Sequence, residues 1–143
     1  MGFDDPENKM SKSIAVNKSG HAISMLDDED TIKKTIMRAT TDTNSELKFE
    51  FASAGVKNLL TLYKVLSGKS MEEIQVHFEG QGYGILKKEV LEVVLESLRP
   101  IKQKYNQILA DPGFVDDILK MGMERVLPIA QNTMSKVKNN IGI

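Results

Sequence analysis

Two lysines and two serines surround one methionine near the start of this 143-residue sequence. The residues are Lys9, Ser11, Lys12 and Ser13, in the stretch DDPENKMSKSIAVNKSG. Lysine carries a compact charge on a flexible stem and can follow phosphate oxygens as they move during a reaction. With the serine hydroxyl groups as further donors, the pattern predicts a clamp for a triphosphate or a pyrophosphate. A solvated basic loop explains any K-x-x-K pattern alone, but the complete five-residue pattern is more informative than two lysines.

The secondary structure that must position these residues is predicted to change once along the chain, from loop to helix. Residues 1–25 are rich in Gly, Pro, Asn, Ser and Asp, which predicts a loop with at most a brief strand. From Asp27 onward the apolar spacing is helical. Asp27 is the predicted cap of a helix that ends near Thr40 to Asp42, and the acidic run from Asp27 to Asp30 is better explained by its first turn than by paired catalytic acids.

Further helices follow with clear start and stop signals. GVKNLLTLYKVLSG predicts a helix that stops at Gly68, and Ser70 with Glu73 has the spacing of a capping box before a short helix that Gly80 closes. Asp111 and Pro112 predict the start of the last helix. The longest apolar stripe is predicted to bury one whole side of its helix, with a kink at Pro100. Its members are Val94, Leu98, Ile101, Tyr105 and Ile108. The last helix is predicted to turn its own apolar face inward, including Val115, Ile118, Leu119, Val126, Ala130, Met134 and Val137.

Composition narrows the class of protein further. The chain has no cysteine, which excludes disulfides, thiol catalysis and cysteine-ligated metals. Its net charge of -1 gives no global field that would attract nucleic acid, so no DNA partner is predicted and any RNA contact must be local. No apolar run is long enough to cross a bilayer, so no membrane partner is predicted. The predicted fold is therefore mainly α: a loop arm over residues 1–25, followed by an α-helical bundle over residues 26–143.

Other polar residues give weaker signals. Arg99, Lys102 and Lys104 form a basic cluster beside an aromatic residue and are candidates for stacking and phosphate contact with RNA, although a solvated helix face is the simpler interpretation. His21 and His77 lie 56 positions apart without partners at metal-ligand spacing. No metal ligand is predicted.

The stretch Lys9 to Ser13, KMSKS, is also the signature loop of class I aminoacyl-tRNA synthetases. Three later stretches resemble, in the right order, the C-terminal half of bacterial tryptophanyl-tRNA synthetases: MLDDEDTIKKTIMRATTDT, GVKNLLTLYKVLSG and FEGQGYGILKKEVLEVVLESLRPIKQKY. The resemblance covers essentially the whole chain. Tyrosyl-tRNA synthetases are not expected to carry RATTD, GYG and LRPI in this arrangement. One departure is Ile14, where the family commonly has an acidic residue after KMSKS.

The resemblance implies a catalytic half that is missing here. In the family a Rossmann domain with a HIGH-type ATP motif and the tryptophan pocket would precede residue 1, and the pair Gly20 and His21 follows KMSKS and cannot be that motif. We therefore expect a fragment that is inactive alone. Residues 1–25 would be the KMSKS loop and the tail of the catalytic domain. Residues 26–143 would be the helical region for tRNA and anticodon recognition, with its C-terminal helix, and Arg99, Lys102 and Lys104 would be its candidate tRNA contacts.

For the intact enzyme the resemblance implies a cytoplasmic, homodimeric ligase that activates tryptophan with ATP to tryptophanyl-adenylate and transfers it to tRNA(Trp). Lys12 would stabilise charge on the leaving pyrophosphate, Lys9 and the serines Ser11 and Ser13 would assist, and the backbone at Met10 would lie near the adenine. Mg²⁺ would arrive with ATP, and the fragment itself would bind no cofactor. The alternative is a helical RNA-binding or protein-interaction module from a truncated paralogue, which acts on its own.

Overall fold

The computed structural model describes residues 1–43 and 47–142, and in these ranges the regular structure is helical. The helices are α1 (Lys12–Asn17), α2 (Glu29–Met37), α3 (Ala54–Ser67), α4 (Met71–His77), α5 (Tyr83–Leu109) and α6 (Pro112–Ile141). No described residue lies in a strand, so the predicted mainly α class is confirmed. None of the described helices is both long and apolar enough to cross a membrane.

The first helix corrects the prediction of loop or strand over residues 1–25. The backbone N–H of Ala15 donates to Ser11 O at 3.0 Å, and that of Lys18 donates to Ile14 O at 2.9 Å. The glycine and proline residues that signalled a loop flank this stretch, and none lies inside it. Residues 12–17 therefore form one short helix within an otherwise irregular arm.

The start of α2 is one residue later than predicted. The Asp28 carboxylate, and not that of Asp27, accepts from the backbone N–H of Thr31, at 2.7 Å, and this bond lowers the pKa of Asp28. Asp27 instead accepts from the N–H of Ser24 at 2.8 Å. The helix ends at Met37, before the predicted Thr40, and the N–H of Thr40 donates to Phe3 O at 2.8 Å.

The stop signal of α3 and the start signals of α4 and α6 are confirmed, whereas α4 ends at His77, with Phe78 as its C-cap, before the predicted Gly80. Gly68 ends α3 in the left-handed conformation, with φ of 70°. Ser70 Oγ accepts from the N–H of Glu73 at 3.2 Å, and Glu73 Oε2 accepts from the N–H of Ser70 at 2.7 Å, which is a complete capping box. Asp111 caps α6 by accepting from the N–H of Phe114 at 3.2 Å, with Pro112 in its first turn.

The chain divides into two compact units, residues 1–102 and residues 103–143. The first unit holds a core built from one face of each of α2, α3, α4 and α5, together with Phe3 from the arm. Its fully buried side chains include Ile32, Ile36, Leu59, Leu60, Ile74, Phe78, Leu86 and Val90. Burial of each such side chain stabilises the folded state by about 1.5–3 kcal/mol. The functional division predicted between residues 25 and 26 stays a prediction.

Fewer residues of the long apolar stripes are buried than the sequence predicts. In α5, Val94 is buried, but Ile101 is 44% exposed and Tyr105 is 42% exposed. The helix continues through Pro100 without interruption. In the second unit, the apolar side chains of α6 are exposed, including Ile118, Leu119, Val126 and Met134. The prediction that they face inward is wrong for the single chain, because apolar spacing fixes which residues share a face and not whether another element covers that face.

Candidate functional site

The KMSKS segment, residues 9–13, presents its lysine side chains to solvent. Lys9 and Lys12 are exposed, and Ser11 between them is half-buried. Within residues 1–43 and 47–142, neither ammonium group has an ion-pair or hydrogen-bond partner. Both positive charges are therefore available for an anion from outside the chain.

The backbone before the segment is held by short-range bonds. Asn8 donates to Asp5 twice, from its backbone N–H to Asp5 O at 3.2 Å and from Nδ2 to Asp5 Oδ2 at 2.8 Å. The N–H of Gly2 donates to Asn8 O at 3.0 Å. Phe3 donates from its N–H to His21 O at 3.0 Å and inserts its ring into the core. The turn that delivers Lys9 is thus joined to the helical core of the first unit.

A buried histidine holds the middle of the segment. The backbone N–H of Ser11 donates to His21 Nε2 at 3.2 Å, and His21 Nδ1 lies 2.7 Å from Asp4 Oδ1. Asp4 Oδ2 lies 2.6 Å from Lys18 Nζ. The His21 side chain is only 2% exposed. We call these residues the His21 network: His21, Asp4, Lys18 and the N–H of Ser11.

Electrostatics in the His21 network favour an ionised carboxylate. The hydrogen bond from Lys18, supported by that from His21, lowers the pKa of Asp4 from 3.8 to about 2, although partial burial acts in the opposite direction. The same contact raises the pKa of Lys18. Asp4 therefore carries its charge, and accepts from both partners, throughout the neutral range.

Sequence reasoning missed this network. It treated His21 as a histidine without partners, since Asp4 lies 17 residues away and Ser11 lies 10 residues away, in irregular backbone. Neither separation matches a helical or metal-ligand spacing. No local signal in the sequence could have found the contact, because it depends on how the arm folds back on itself.

The arrangement combines an anchored backbone with free charged side chains. Anchored donors act well on a developing negative charge, because little reorganisation is needed when the charge forms. The lysine stems still let each ammonium group follow a phosphate oxygen. Among the described residues, no group of three His, Asp or Glu side chains is placed to hold a metal ion. Mg²⁺ that accompanies a nucleotide takes most of its ligands from phosphates and water, so we assign it no residue here.

The three candidate tRNA contacts all lie on α5 and differ in exposure and in hydrogen-bond partners. Arg99 is exposed, whereas Lys102 is half-buried and donates from Nζ to the backbone carbonyl of Asp27 at 2.5 Å. That bond ties α5 to the segment before α2, which is a structural role. Lys104 is exposed and belongs to the second unit. A tRNA-binding role for these residues stays a prediction.

A second histidine lies in a different polar cluster, between α3, α4 and α5. Glu89 Oε2 lies 2.8 Å from His77 Nε2 and accepts from the Tyr63 hydroxyl at 3.0 Å. Burial raises the pKa of Tyr63. Burial acts to raise the pKa of Glu89 as well, but hydrogen bonds from His77 and Tyr63 lower it overall. The His77 ring also stacks on Tyr63 and meets Phe78 edge-on. We call these four residues the His77 cluster, and its contacts join helices.

Comparison with known proteins gives one consistent result. Residues 1–99 match the family model described as tRNA synthetases class I (W and Y). The tryptophan–tRNA ligase of Wolinella succinogenes is 42% identical over 143 residues, and that of Bacillus anthracis is 42% identical over 144 residues. Each alignment covers 100% of this chain and 43% of the relative. The chain thus spans less than half the length of these curated relatives.

Solved structures agree with the sequence comparison. A tryptophanyl-tRNA synthetase from Campylobacter jejuni, complexed with ADP and tryptophan, superposes with a TM-score of 0.80 at 28% identity. A second structure of the Campylobacter jejuni enzyme gives a TM-score of 0.78 at 30% identity. Both matches cover 100% of this chain, and 43% and 44% of the solved chains respectively. The predicted resemblance is confirmed: the chain belongs to the class I tRNA synthetases for tryptophan and tyrosine, and it corresponds to the C-terminal part of a tryptophan–tRNA ligase.

Proposed function

We propose that this chain supplies the KMSKS segment and the helical region of a ligase that activates tryptophan with ATP and transfers it to tRNA(Trp). Tryptophan, ATP with Mg²⁺ and tRNA(Trp) are its proposed substrates, and the cytoplasm is its proposed location. Lys12 stabilises negative charge on the leaving pyrophosphate, and Lys9 assists. Met10, Ser11 and Ser13 complete the proposed ATP-binding segment.

The observation that carries this proposal is the KMSKS segment itself. Its two ammonium groups have no partner among the described residues, while the backbone between them is held by His21. An anionic leaving group needs that combination, because charges already paired with carboxylates would first have to be released. The match to tryptophan–tRNA ligases over the whole chain supports tryptophan as the amino acid.

We also propose that the chain acts within a homodimer and is inactive alone. The exposed apolar side chains of α6 support self-association, because a continuous apolar face on a helix is stabilised when a second surface covers it. Sedimentation velocity over a wide concentration range tests this proposal. A strict monomer at every concentration would contradict it.

Activity in combination with a catalytic half tests the function. The chain is mixed with the N-terminal part of the Wolinella succinogenes ligase, and tryptophan-dependent exchange of pyrophosphate into ATP is measured. A covalent chimera of the same two parts is measured in parallel, so that failure of two separate chains to associate is not mistaken for failure of the chemistry. We expect exchange that needs both parts.

Lys12→Ala is the decisive variant in this assay. Loss of one positioned donor to a developing oxyanion lowers the rate by about 100-fold to 1000-fold. Lys33→Ala is the matched control, since Lys33 is an exposed lysine of α2 and not part of the KMSKS segment. A folded chimera without exchange, or equal activity in the two variants, would refute the assignment and favour a helical module that acts on its own.

A further inference from the structure

We propose that His21 is a positioning residue for the KMSKS segment, which it holds by accepting the backbone N–H of Ser11 at Nε2. Only the catalytic consequence of this proposal rests on the function proposed above. The contact itself concerns a ring nitrogen and a backbone amide of this chain, and it can be tested without any substrate.

The hydrogen-bond partners fix the tautomer of the ring. A backbone N–H can only donate, so Nε2, at 3.2 Å from Ser11 N, must present its lone pair. The ring proton then lies on Nδ1, which donates to Asp4 Oδ1 at 2.7 Å. An ionised carboxylate can only accept, which agrees with this direction. His21 is therefore neutral and protonated at Nδ1, as in sites where a carboxylate orients an imidazole.

The ring is fixed on its other sides as well. A Cβ atom added to Gly2 would lie 2.8 Å from His21 Cε1 and 3.0 Å from Nδ1, so the backbone of Gly2 packs directly against the imidazole. The carbonyl of His21 accepts from the N–H of Phe3 at 3.0 Å. With its backbone and its ring both held, His21 offers Nε2 from a fixed point.

The hydrogen bond between Ser11 and His21 matters for the KMSKS segment because of where Ser11 lies. Ser11 lies between the two lysines of the segment, and its bond to His21 closes the loop that contains α1. The bond therefore sets where the backbone between Lys9 and Lys12 lies, while it leaves both ammonium groups free. His21 acts through the segment and makes no contact with a ligand itself.

The first experiment identifies the tautomer in the unmodified chain. Nitrogen NMR of the ¹⁵N-labelled chain near neutral pH distinguishes a protonated from an unprotonated ring nitrogen. We expect the proton of His21 on Nδ1, with Nε2 as the acceptor. A proton on Nε2 would overturn the proposal, because two donors cannot share that contact.

The second experiment separates the two contacts of the ring with a matched pair of variants. In His21→Gln the longer side chain places an amide oxygen near the Nε2 position and keeps an acceptor for Ser11. In His21→Asn the shorter side chain places its amide near the Nδ1 position and keeps only the donor to Asp4. Hydrogen exchange of the Ser11 amide is then compared with that of the unmodified chain.

We expect the Ser11 amide to exchange about tenfold faster in His21→Asn, the fold-change that loss of one ordinary hydrogen bond produces. In His21→Gln it should stay within about threefold of the unmodified chain. Equal acceleration in both variants, or the reverse order, would show that Nε2 does not hold the segment. Thermal unfolding of both variants is measured alongside, and if either fails to fold, the tautomer measurement alone decides.

The catalytic consequence is measured in the chimera. A displaced catalytic segment slows the chemical step by about 10-fold to 100-fold, so kcat should fall in His21→Asn while KM for tryptophan stays unchanged. His21→Gln should recover most of kcat. An active chimera that does not distinguish the two variants would overturn the positioning role while the proposed function stands. An inactive chimera would count against the function, while the NMR experiments still decide whether His21 holds the segment.

Discussion

The two histidines of this chain pair with carboxylates at almost the same distance and yet serve different parts of the fold. His21 Nδ1 lies 2.7 Å from Asp4, and His77 Nε2 lies 2.8 Å from Glu89. The side chain of His21 is 2% exposed, whereas that of His77 is 35% exposed. The difference lies in what else each ring touches: His21 accepts from the backbone of the KMSKS segment, and His77 packs against two aromatic rings between helices.

This comparison shows how one chemical pair can either fix a loop or join helices. In the His77 cluster most of the stabilisation comes from apolar and aromatic burial, and the polar bonds satisfy groups that the packing encloses. In the arm few apolar side chains are buried, chiefly Phe3, so hydrogen bonds contribute more to the backbone path. Damage to the His77 cluster should therefore lower global stability, whereas damage to the His21 network should release the KMSKS segment.

The largest expected effect comes from Phe78→Ala. The Phe78 ring is 1% exposed and lies edge-on to Tyr63 at 5.1 Å and to His77 at 4.7 Å, measured between ring centroids. Its removal should lower the free energy of unfolding by about 3–5 kcal/mol, because it leaves a cavity in the core. Urea denaturation measures this loss. The rate of local hydrogen exchange at the Ser11 amide should not change. Faster exchange of that amide in the folded variant would contradict the proposal that the His77 cluster and the His21 network act on separate parts of the fold.

The second largest loss of stability is expected from Gly2→Ala, which acts on the His21 network. The new Cβ would meet the His21 ring at 2.8 Å, so the ring or the backbone must move. Overpacking of this kind costs about 1–3 kcal/mol. The Ser11 amide should exchange faster, in contrast to Phe78→Ala. Gly122→Ala in α6 is the control, since its Cβ would meet no atom within 4 Å, and a similar loss there would contradict the steric explanation.

The sequence predicted the helical fold well where the deciding contacts are local. The capping box of Ser70 and Glu73, the stop at Gly68 and the start at Asp111 each involve residues within one turn of each other. Asp27 and Asp28 could both cap a helix, and the choice depends on a turn at Ser24 that no periodicity reveals. Burial along α5 and α6 could not be predicted, because it depends on which surface covers each stripe.

The candidate site was predicted only in part. The KMSKS segment is contiguous, so residue types alone identified Lys9 and Lys12 as candidates. The support of that segment comes from Asp4 and His21, on either side of it in sequence, and from Gly2, whose role is to leave room for a ring. Such contacts depend on the folded path of irregular backbone, which residue spacing does not encode.

A smaller effect is expected when the polar bond of the His77 cluster is removed. His77→Ala removes one hydrogen-bond partner of Glu89 Oε2, while the Tyr63 hydroxyl still donates to the same oxygen. Loss of that hydrogen bond should lower the free energy of unfolding by about 0.5–1.5 kcal/mol, and loss of the ring contacts with Tyr63 and Phe78 adds to this effect. His77→Gln should recover part of this loss, because its amide can donate near the Nε2 position. If the Ser11 amide responds to His77→Ala as it does to His21→Asn, the two histidines do not serve separate parts of the fold.

The smallest effect is expected from the charge of Asp4, and it should depend on pH. The pKa of Asp4 is about 2 in the folded chain against 3.8 ordinarily, so between these values the unfolded chain binds more protons than the folded chain. The stabilisation from Asp4 is therefore present above about pH 4 and is lost as the pH falls toward 2. Because the Lys18 side chain is largely exposed, solvent screening keeps the contribution of the pair small. Asp28, Glu72 and Glu89 also have lowered pKa values, so only the difference in unfolding free energy between the unmodified chain and Asp4→Asn isolates this carboxylate. That difference should shrink as the pH falls from 4 to 2, and a constant difference would mean that Asp4 contributes through its shape and not through its charge.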